Sequence, residues 1–269
     1  MTSQAVSASA SGFGRTHRLL IIATALTPSI TLSTGMTIAN VAVPDIMGAF
    51  GVGQDQAQWM ATGFFAAMTT GMLVSSWAIR SFGQRHVFVT MMGVFVAASV
   101  LGGTAQEYEM IILARAIQGF AAGINLPLTQ LAMYDVFGPD RRSTANGLFG
   151  LSFVLGPGLG PWFGGMAIDA FDWRFTFYIV LPVAASVALL ASYVLPTRES
   201  TGPRPTFDWL GFALLSIALI ASLTGLSNGQ RLGWPSDTVV LLLTLGLFSG
   251  VAFVLWEWWY DGHCQSKLA

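Results

Sequence analysis

The sequence is poor in charged residues. Only 9% of its 269 residues are Asp, Glu, Lys or Arg, whereas soluble domains carry about 25%. So few charged groups cannot cover the surface of a globular protein in water. Because 54% of the residues are hydrophobic, the solvent that suits most of the chain is a lipid bilayer. A large soluble helical core is the alternative, and the patterns below count against it.

Cysteine and histidine are scarce. The one cysteine, Cys264, excludes an intrachain disulfide framework and a cysteine-rich metal centre. His17, His86 and His263 lie far apart and outside the apolar segments, so neither a metal site nor a nucleophilic triad is readable. The net charge of −1 provides no basic field for nucleic acid. The sequence therefore predicts no enzyme, no metal site and no nucleic-acid partner.

What the sequence does contain is a series of long apolar segments, about eight of them near the length of roughly 20 residues that a spanning helix needs. They are Leu19–Val43, Gln58–Ile79, Val87–Ala105, Met110–Tyr134, Ala145–Met166, Phe175–Leu195, Trp209–Leu226 and Thr238–Trp258. This pattern predicts an all-α polytopic membrane protein. Residues 1–18 form a polar leader, residues 196–208 a linker after the sixth segment, and residues 259–269 the tail.

The basic residues predict the orientation of these segments, because Lys and Arg concentrate in cytoplasmic loops. Alternating loops place most of them on the N-terminal side: Arg15, Arg18, Arg80, Arg85, Arg141, Arg142, Arg198, Arg204 and Lys267. Arg174 and Arg231 fall on the other side. We therefore expect a multi-pass membrane protein with both ends of the chain in the cytoplasm.

A glycine-rich stretch, LGPGLGPWFGG, interrupts the fifth apolar segment. Gly156, Gly160 and Gly164 stand at i, i+4 and i+8, so they line one helix face and let another backbone approach closely. Pro157 and Pro161 free backbone carbonyls and permit a bend. Two interpretations stay open: ordinary helix packing, and a flexing helix at an interface that opens and closes.

Arg115 is a charged residue inside the fourth apolar segment. Burying it costs about 2.5–3.5 kcal/mol on insertion scales, so such a residue is a functional candidate by default. The alternative is snorkelling, since Arg115 lies close to the outer end. By depth, we expect Asn40, Arg115 and Gln118 to form one hydrogen-bonded cluster facing a cavity, with Gln58 and Trp59 at its mouth. For Asn40 and Gln118, plain helix packing is an equal alternative.

These motifs resemble those of the drug:proton antiporters in the major facilitator superfamily. The run Gly156-x-x-x-Gly160-Pro161-x-x-Gly164-Gly165 is similar to the antiporter motif on their fifth helix. The run from Ile111 through Arg115 to Ala122 resembles their arginine-containing motif on the fourth helix. The stretches MTIANVAVP, DWRFTFYIVLP and VLWEW are similar to parts of the first helix, the sixth helix and the second extra helix of the fourteen-helix branch.

The resemblance implies a fold and a function. Residues 19–195 would form the N-terminal six-helix half, built from two inverted three-helix repeats, and residues 209–258 two additional transmembrane helices. Family members export hydrophobic, often cationic small molecules; the proton gradient supplies the energy, and no cofactor is needed. Some relatives work with a periplasmic adaptor and an outer-membrane channel. The glycine stretch would form a close-packed hinge between the two halves, and Arg115, Gln118 and Asn40 would line the path.

The loop between the second and third segments departs from the superfamily signature Gly-x-Leu-Ala-Asp-Arg-x-Gly-Arg-Lys. Gly83 and Arg85 keep their places in it, but Arg80 stands where the signature has its acid. A charge-pair gate built on that acid is therefore in doubt. The alternative is that Arg80 and Arg85 are simple positive-inside anchors.

The acid expected for proton coupling is also missing. In this branch an Asp on the first helix commonly precedes the TIAN stretch, and here that position is Gly35. Asp135, at the inner end of the fourth segment, is a weak substitute. The family has six helices, two extra ones and six more, so we expect this chain to be a truncation, a fragment or a frameshifted product. The alternative function is a non-transporting membrane protein or a partner subunit of a full transporter.

Overall fold

The computed structural model describes residues 15–195 and 207–265, with side chains between residues 26 and 259 apart from 194 and 230. The described residues are helical and contain no strand. The first residues of the predicted leader, linker residues 196–206 and the end of the tail lie outside them.

Long helices occupy all the predicted apolar segments. They are α1 (Arg15–Val41), α2 (Trp59–Phe82), α3 (Gln84–Gly103), α4 (Tyr108–Phe137), α5 (Arg142–Ala170), α6 (Leu181–Val194), α7 (Trp209–Leu232) and α8 (Asp237–Gln265). In the described residues, 7 helical stretches are long and apolar enough to cross a membrane, and α1 lies in the first predicted segment. The predicted all-α polytopic membrane fold is confirmed.

Proline and glycine determine where two of the helices begin or end. The sixth segment was predicted as one helix, but it divides into a single turn, Phe175–Tyr178, and α6. Pro182 lies in the first turn of α6, where its missing N–H removes no helical hydrogen bond. Gly83 separates α2 from α3 with a φ of 81°, a left-handed value that glycine adopts without steric cost. Gly83, the glycine that this chain shares with the loop signature, therefore permits the turn between α2 and α3.

The first compact unit, which includes α1 to α6, shows an internal symmetry. Its two most extensive contacts are α1 with α5 and α2 with α4, and α3 packs on both α4 and α6. Exchanging α1–α3 with α4–α6 maps the α1–α5 contact onto the α4–α2 contact. Since three helices reverse the direction of the chain, the second group runs opposite to the first. This is the arrangement of inverted repeats that the resemblance implied.

The interior of this unit consists of two apolar clusters. The larger lies among the helices and includes the fully buried rings of Phe64, Phe88 and Phe95. The smaller lies at the end of the unit where α1 is joined to α2. There, two short helices, Val43–Phe50 and Gln54–Ala57, connect α1 to α2.

The second compact unit contains α7 and α8, which pack against each other as a hairpin. A Cβ at Gly246 on α8 would meet the Ser222 hydroxyl on α7, so small residues bring the two backbones together. Asp208 caps α7 by accepting a hydrogen bond from the Gly211 amide at 2.9 Å. The same carboxylate accepts a hydrogen bond from Trp256 Nε1 at 3.0 Å. Asp208 therefore links the start of α7 to α8.

Candidate functional site

Arg115 on α4 is the largest of the fully buried side chains, with 2% of its surface exposed. Its Nη1 donates to the carbonyl oxygen of Gly35 on α1 at 2.8 Å, and its Nη2 donates to that of Met36 at 3.3 Å. Its guanidinium carbon lies 4.1 Å from the ring centroid of Phe64 on α2. The charge is thus held by carbonyl dipoles on one side and an aromatic face on the other. This burial excludes snorkelling as the explanation for Arg115.

Gln118 connects Arg115 to α3. Arg115 Nη1 donates to Gln118 Oε1 at 3.2 Å, and Gln118 Nε2 donates to Ser99 Oγ at 2.8 Å. The Ser99 hydroxyl donates its own proton to the Phe95 carbonyl at 2.9 Å. Because that proton is committed, Ser99 offers only its oxygen to Gln118, and the amide oxygen of Gln118 faces the guanidinium. One buried network therefore joins α1, α3 and α4.

This network contains a positive charge without an acidic partner among the described residues. Arg115 Nε is buried and has no hydrogen-bond partner in the described part of the chain. Ion pairing therefore contributes nothing to holding Arg115 within that part. The guanidinium is held instead by two backbone carbonyls, the amide oxygen of Gln118 and the ring of Phe64.

The structure brings Arg115 and Gln118 together as predicted, but it leaves Asn40 out. Asn40 lies further along α1, its side chain is exposed, and it is not a partner of Arg115 or Gln118. The predicted cluster of three residues facing a cavity is therefore wrong: Asn40 does not belong to it, and Arg115 and Gln118 are buried. Similar depth on two helices does not ensure that two side chains share a face. The place expected for Asn40 is filled by backbone carbonyls, which leave no signal in a sequence.

Gly35, at the position of the expected coupling acid, packs closely against α3. A Cβ on Gly35 would lie 3.0 Å from Cζ of Phe95, so a side chain at residue 35 would require the ring to shift by a few tenths of an ångström. Asp135 cannot replace that acid beside Arg115. It lies 20 residues further along the same helix, which is about 30 Å at the helical rise.

The remaining predicted residues of the path and the loop lie apart from this network. Gln58 and Trp59 are exposed at the start of α2. Arg80 and Arg85 lie at the opposite end of α2, where they flank the Gly83 turn. Arg80 is exposed, and its Nε donates to the Ser76 carbonyl at 3.3 Å. The length of α2 separates the two groups, so the structure does not gather them into one site.

The glycine-rich stretch does not break its helix, since α5 continues through Pro157 and Pro161. A Cβ at Gly156 would meet the hydroxyl of Ser33 on α1, and one at Gly160 would meet that of Thr37. Gly164 faces Ile38 at 3.2 Å. These three glycines pack against α1 within one half, as the interpretation of ordinary helix packing predicts, and the role of the stretch as a hinge between two halves stays a prediction. Gly158 and Gly165 have no such neighbour within 4 Å in the described part of the chain.

Sequence reasoning missed a second set of close glycine contacts, between α2 and α4. A Cβ at Gly119 would meet the Phe64 carbonyl, one at Gly123 would meet the Met68 carbonyl, and one at Gly71 would meet the Phe120 carbonyl. The i, i+4 spacing of Gly119 and Gly123 is the signal that could have revealed it. Under the internal symmetry, this α2–α4 contact is the counterpart of the α1–α5 contact.

Comparison with known proteins agrees with this architecture. The sequence profile of the Major Facilitator Superfamily matches residues 29–263. The chain belongs to this superfamily. It is thus a multi-pass membrane protein of a superfamily of transporters.

Curated relatives include exporters. Multidrug export protein EmrB of Escherichia coli (strain K12) is 31% identical over 238 residues, covering 86% of this chain and 46% of that protein. Uncharacterized MFS-type transporter YcnB of Bacillus subtilis (strain 168) is 33% identical over 240 residues, covering 88% of this chain and 50% of that protein. The chain spans about half the length of these relatives. The predicted resemblance to drug exporters of the superfamily is confirmed.

Solved structures show the same fold at lower identity. The peptide transporter POT in complex with sulfate has a TM-score of 0.67 at 13% identity, covering 95% of this chain and 56% of that chain. The human organic anion transporter MFSD10 (TETRAN) has a TM-score of 0.55 at 16% identity, covering 86% of this chain and 70% of that chain. These likenesses bear on the fold alone.

Proposed function

We propose that this chain forms part of a proton-driven exporter of hydrophobic small molecules in the bacterial inner membrane, with its N-terminus in the cytoplasm. The observation that carries the proposal is the identity of 31–32% to proteins named multidrug export protein or multidrug resistance protein, over 86–87% of this chain. In the proposal, residues 19–195 supply one six-helix half. A periplasmic adaptor and an outer-membrane channel are partners that such an exporter would use.

Arg115 has a defined place in this proposal. It presents a fixed positive charge that ties α1 to α4, the two symmetry-related helices that begin the two repeats. Because residue 35, where the fourteen-helix branch commonly has an acid, is Gly35, the proton-coupling acid in this proposal lies elsewhere in the transporter. We propose that Arg115 and Gln118 act by holding α1 in position and do not contact the transported compound, because both are buried.

The test uses the complete protein that contains this chain, reconstituted in vesicles with an imposed pH gradient. We expect a fluorescent hydrophobic dye to move against the proton gradient, and we expect movement to stop when an ionophore collapses that gradient. Arg115→Ala should lower the rate about tenfold, whereas Arg142→Ala, at an exposed position in the first turn of α5, should leave it within about twofold. An equal rate of dye movement with and without the pH gradient would overturn the proposal.

A second experiment addresses the alternative that the chain is a non-transporting partner. The chain is expressed alone in cells that lack their major drug exporters, and dye efflux and co-purifying membrane proteins are measured. If the chain confers no efflux and purifies in a fixed ratio with another transporter, the partner-subunit function replaces the proposed one.

A further inference from the structure

A cavity of about 150 Å³ lies among α1, α5 and α6, next to the close glycine contact between α1 and α5, with which it shares Ile38. Its walls include Thr31, Thr34 and Ile38 of α1, Leu159 and Phe163 of α5, and Val183 of α6. The side chain of Val183 is 43% exposed, so the cavity opens toward the outer surface of the bundle there. It is separate from the Arg115 network, which lies between α1, α3 and α4.

The walls of this cavity do not suit water. A buried water molecule needs two to four polar partners, and only two of the lining side chains carry a polar group. Thr31 has already committed its hydroxyl proton to the Thr27 carbonyl at 2.7 Å. A dry apolar cavity of about 150 Å³ accommodates a molecule with the size of a single benzene ring. The cavity therefore fits an apolar ring that enters from the bilayer.

Thr34 adds one polar group to this apolar site. In a helix a threonine hydroxyl commonly donates to the carbonyl four residues earlier, which for Thr34 is that of Ile30, but no such bond forms between these two described residues. Ser33 Oγ lies 3.2 Å from the Ile30 carbonyl oxygen, and its shorter bond, 2.6 Å, goes to the Ser29 carbonyl. Among the described residues, no hydrogen bond uses the Thr34 hydroxyl as donor. An acyl chain has no group that could bond to this hydroxyl, whereas a ring with one polar substituent does. The hydroxyl thus distinguishes the two apolar occupants that a membrane offers.

We infer that this cavity binds one aromatic ring with a single hydrogen-bonding substituent, such as a phenol, from compounds dissolved in the membrane. The inference rests on the proposed function for the identification of these compounds as cargo. The glycines of α5 contribute to the site because they fix the separation of α1 and α5 on one side of it. Thr34 is then the residue that sets the preference for a polar substituent, and Val183 lies at the mouth.

Photolabelling of the purified chain in lipid nanodiscs tests the binding directly. The probe is 3-trifluoromethyl-3-phenyldiazirine, a single-ring compound, and labelled peptides from α1 and α6 are quantified by mass spectrometry. The competitors are p-cresol and p-xylene, which have nearly the same shape and differ by one hydroxyl. At equal concentration in the membrane, we expect both to protect these peptides, with p-cresol about fivefold more effective through its hydrogen bond.

Three variants provide the specificity controls. Thr34→Val keeps the shape of the side chain and should make p-cresol and p-xylene equally effective. Val183→Phe should block the mouth and abolish the protectable labelling. Leu189→Phe adds the same ring on α6 at a position that is 64% exposed and outside the cavity, and it should leave labelling unchanged. Size-exclusion profiles and helical circular dichroism verify the fold of each variant.

Three results would overturn the inference. The first is labelling that neither competitor suppresses. The second is a preference for p-cresol that survives Thr34→Val. The third is efficient labelling of the same peptides by a phospholipid with a diazirine at its acyl terminus that p-cresol does not displace, which would assign the cavity to lipid. Because this experiment measures binding without a proton gradient, its failure is distinct from failure of dye export.

Discussion

Arg115 Nη1 lies 2.8 Å from the carbonyl oxygen of Gly35, which is 80 residues earlier in the chain. This hydrogen bond is charge-assisted, and it joins α4 to α1 in the interior of the unit. Arg115 belongs to a stretch that resembles a family motif and Gly35 directly precedes another, MTIANVAVP, but the sequence alone does not pair the two residues. The bond is made to a backbone atom, so the side-chain identity of residue 35 does not reveal it.

Replacing Arg115 by Lys tests the value of its planar donor group. Lysine keeps the charge but cannot donate to Gly35, Met36 and Gln118 in the same geometry. We expect Arg115→Lys to lower the free energy of unfolding, measured by SDS titration in bicelles, by about 2 kcal/mol. Arg142→Lys, at an exposed position, should change it by less than about 0.5 kcal/mol. Equal effects of the two substitutions would show that the buried contacts contribute nothing specific.

Ser99→Ala tests the part of the network on α3. The substitution leaves the buried Gln118 Nε2 without its acceptor, which should cost about 1–2 kcal/mol of unfolding free energy. Ser192→Ala is a matched control, because its exposed hydroxyl donates only to the carbonyl of Leu189 on its own helix. If Gln118→Leu and Ser99→Ala are fully additive in a double-mutant cycle, the two side chains do not interact in the membrane.

The sequence predicted the helices well because each one had to present an apolar surface long enough to span a bilayer. It also identified Arg115 and Gln118, since polar residues in such segments are conspicuous. It did not identify Ser99, Phe64 or Phe95 as their neighbours. Serine and phenylalanine are ordinary residues in an apolar helix. The contact of Phe64 with Arg115, and those of Ser99 with Gln118 and of Phe95 with Gly35, depend on how the helices are rotated about their axes. That rotation is determined by tertiary packing and not by the composition of one helix.

The glycine contacts also depend on tertiary packing that the sequence of one helix does not reveal. The spacing of Gly156, Gly160 and Gly164 correctly predicted a close approach of another helix to α5, but it did not predict that the partner would be α1. The partner depends on the internal symmetry of the unit, which pairs α1 with α5 and α2 with α4. Spacing alone cannot reveal it.

Gly123→Ala tests the close approach of α4 to α2. The added methyl would meet the backbone carbonyl of Met68, which cannot rotate away as a side chain can. We expect the unfolding free energy to fall by about 2–3 kcal/mol because the helices must separate. Gly158→Ala on α5 places its methyl in open space, and the better helix propensity of alanine should make it neutral or slightly stabilising. A stabilising Gly123→Ala would contradict the backbone contact.

Asp208 should determine local stability at the start of α7, in the second unit. Asp208→Ala removes both the cap on the Gly211 amide and the acceptor for Trp256 Nε1. Loss of the cap costs about 1 kcal/mol, so we expect amide exchange in residues 207–215 to speed up about fivefold. Hydrogen–deuterium exchange with mass spectrometry in nanodiscs provides the measurement.

Two tryptophan variants separate the contributions of cap and indole. Trp256→Phe removes the indole donor but leaves the cap in place, so it should speed exchange in the same residues by less than Asp208→Ala does. Trp258→Phe alters a ring that is 81% exposed and should leave exchange unchanged. If the indole stabilises the start of α7 through its hydrogen bond to Asp208, the double variant Asp208→Ala/Trp256→Phe should exchange no faster than Asp208→Ala alone. A faster double variant would mean that Trp256 stabilises α7 by packing and not through the carboxylate.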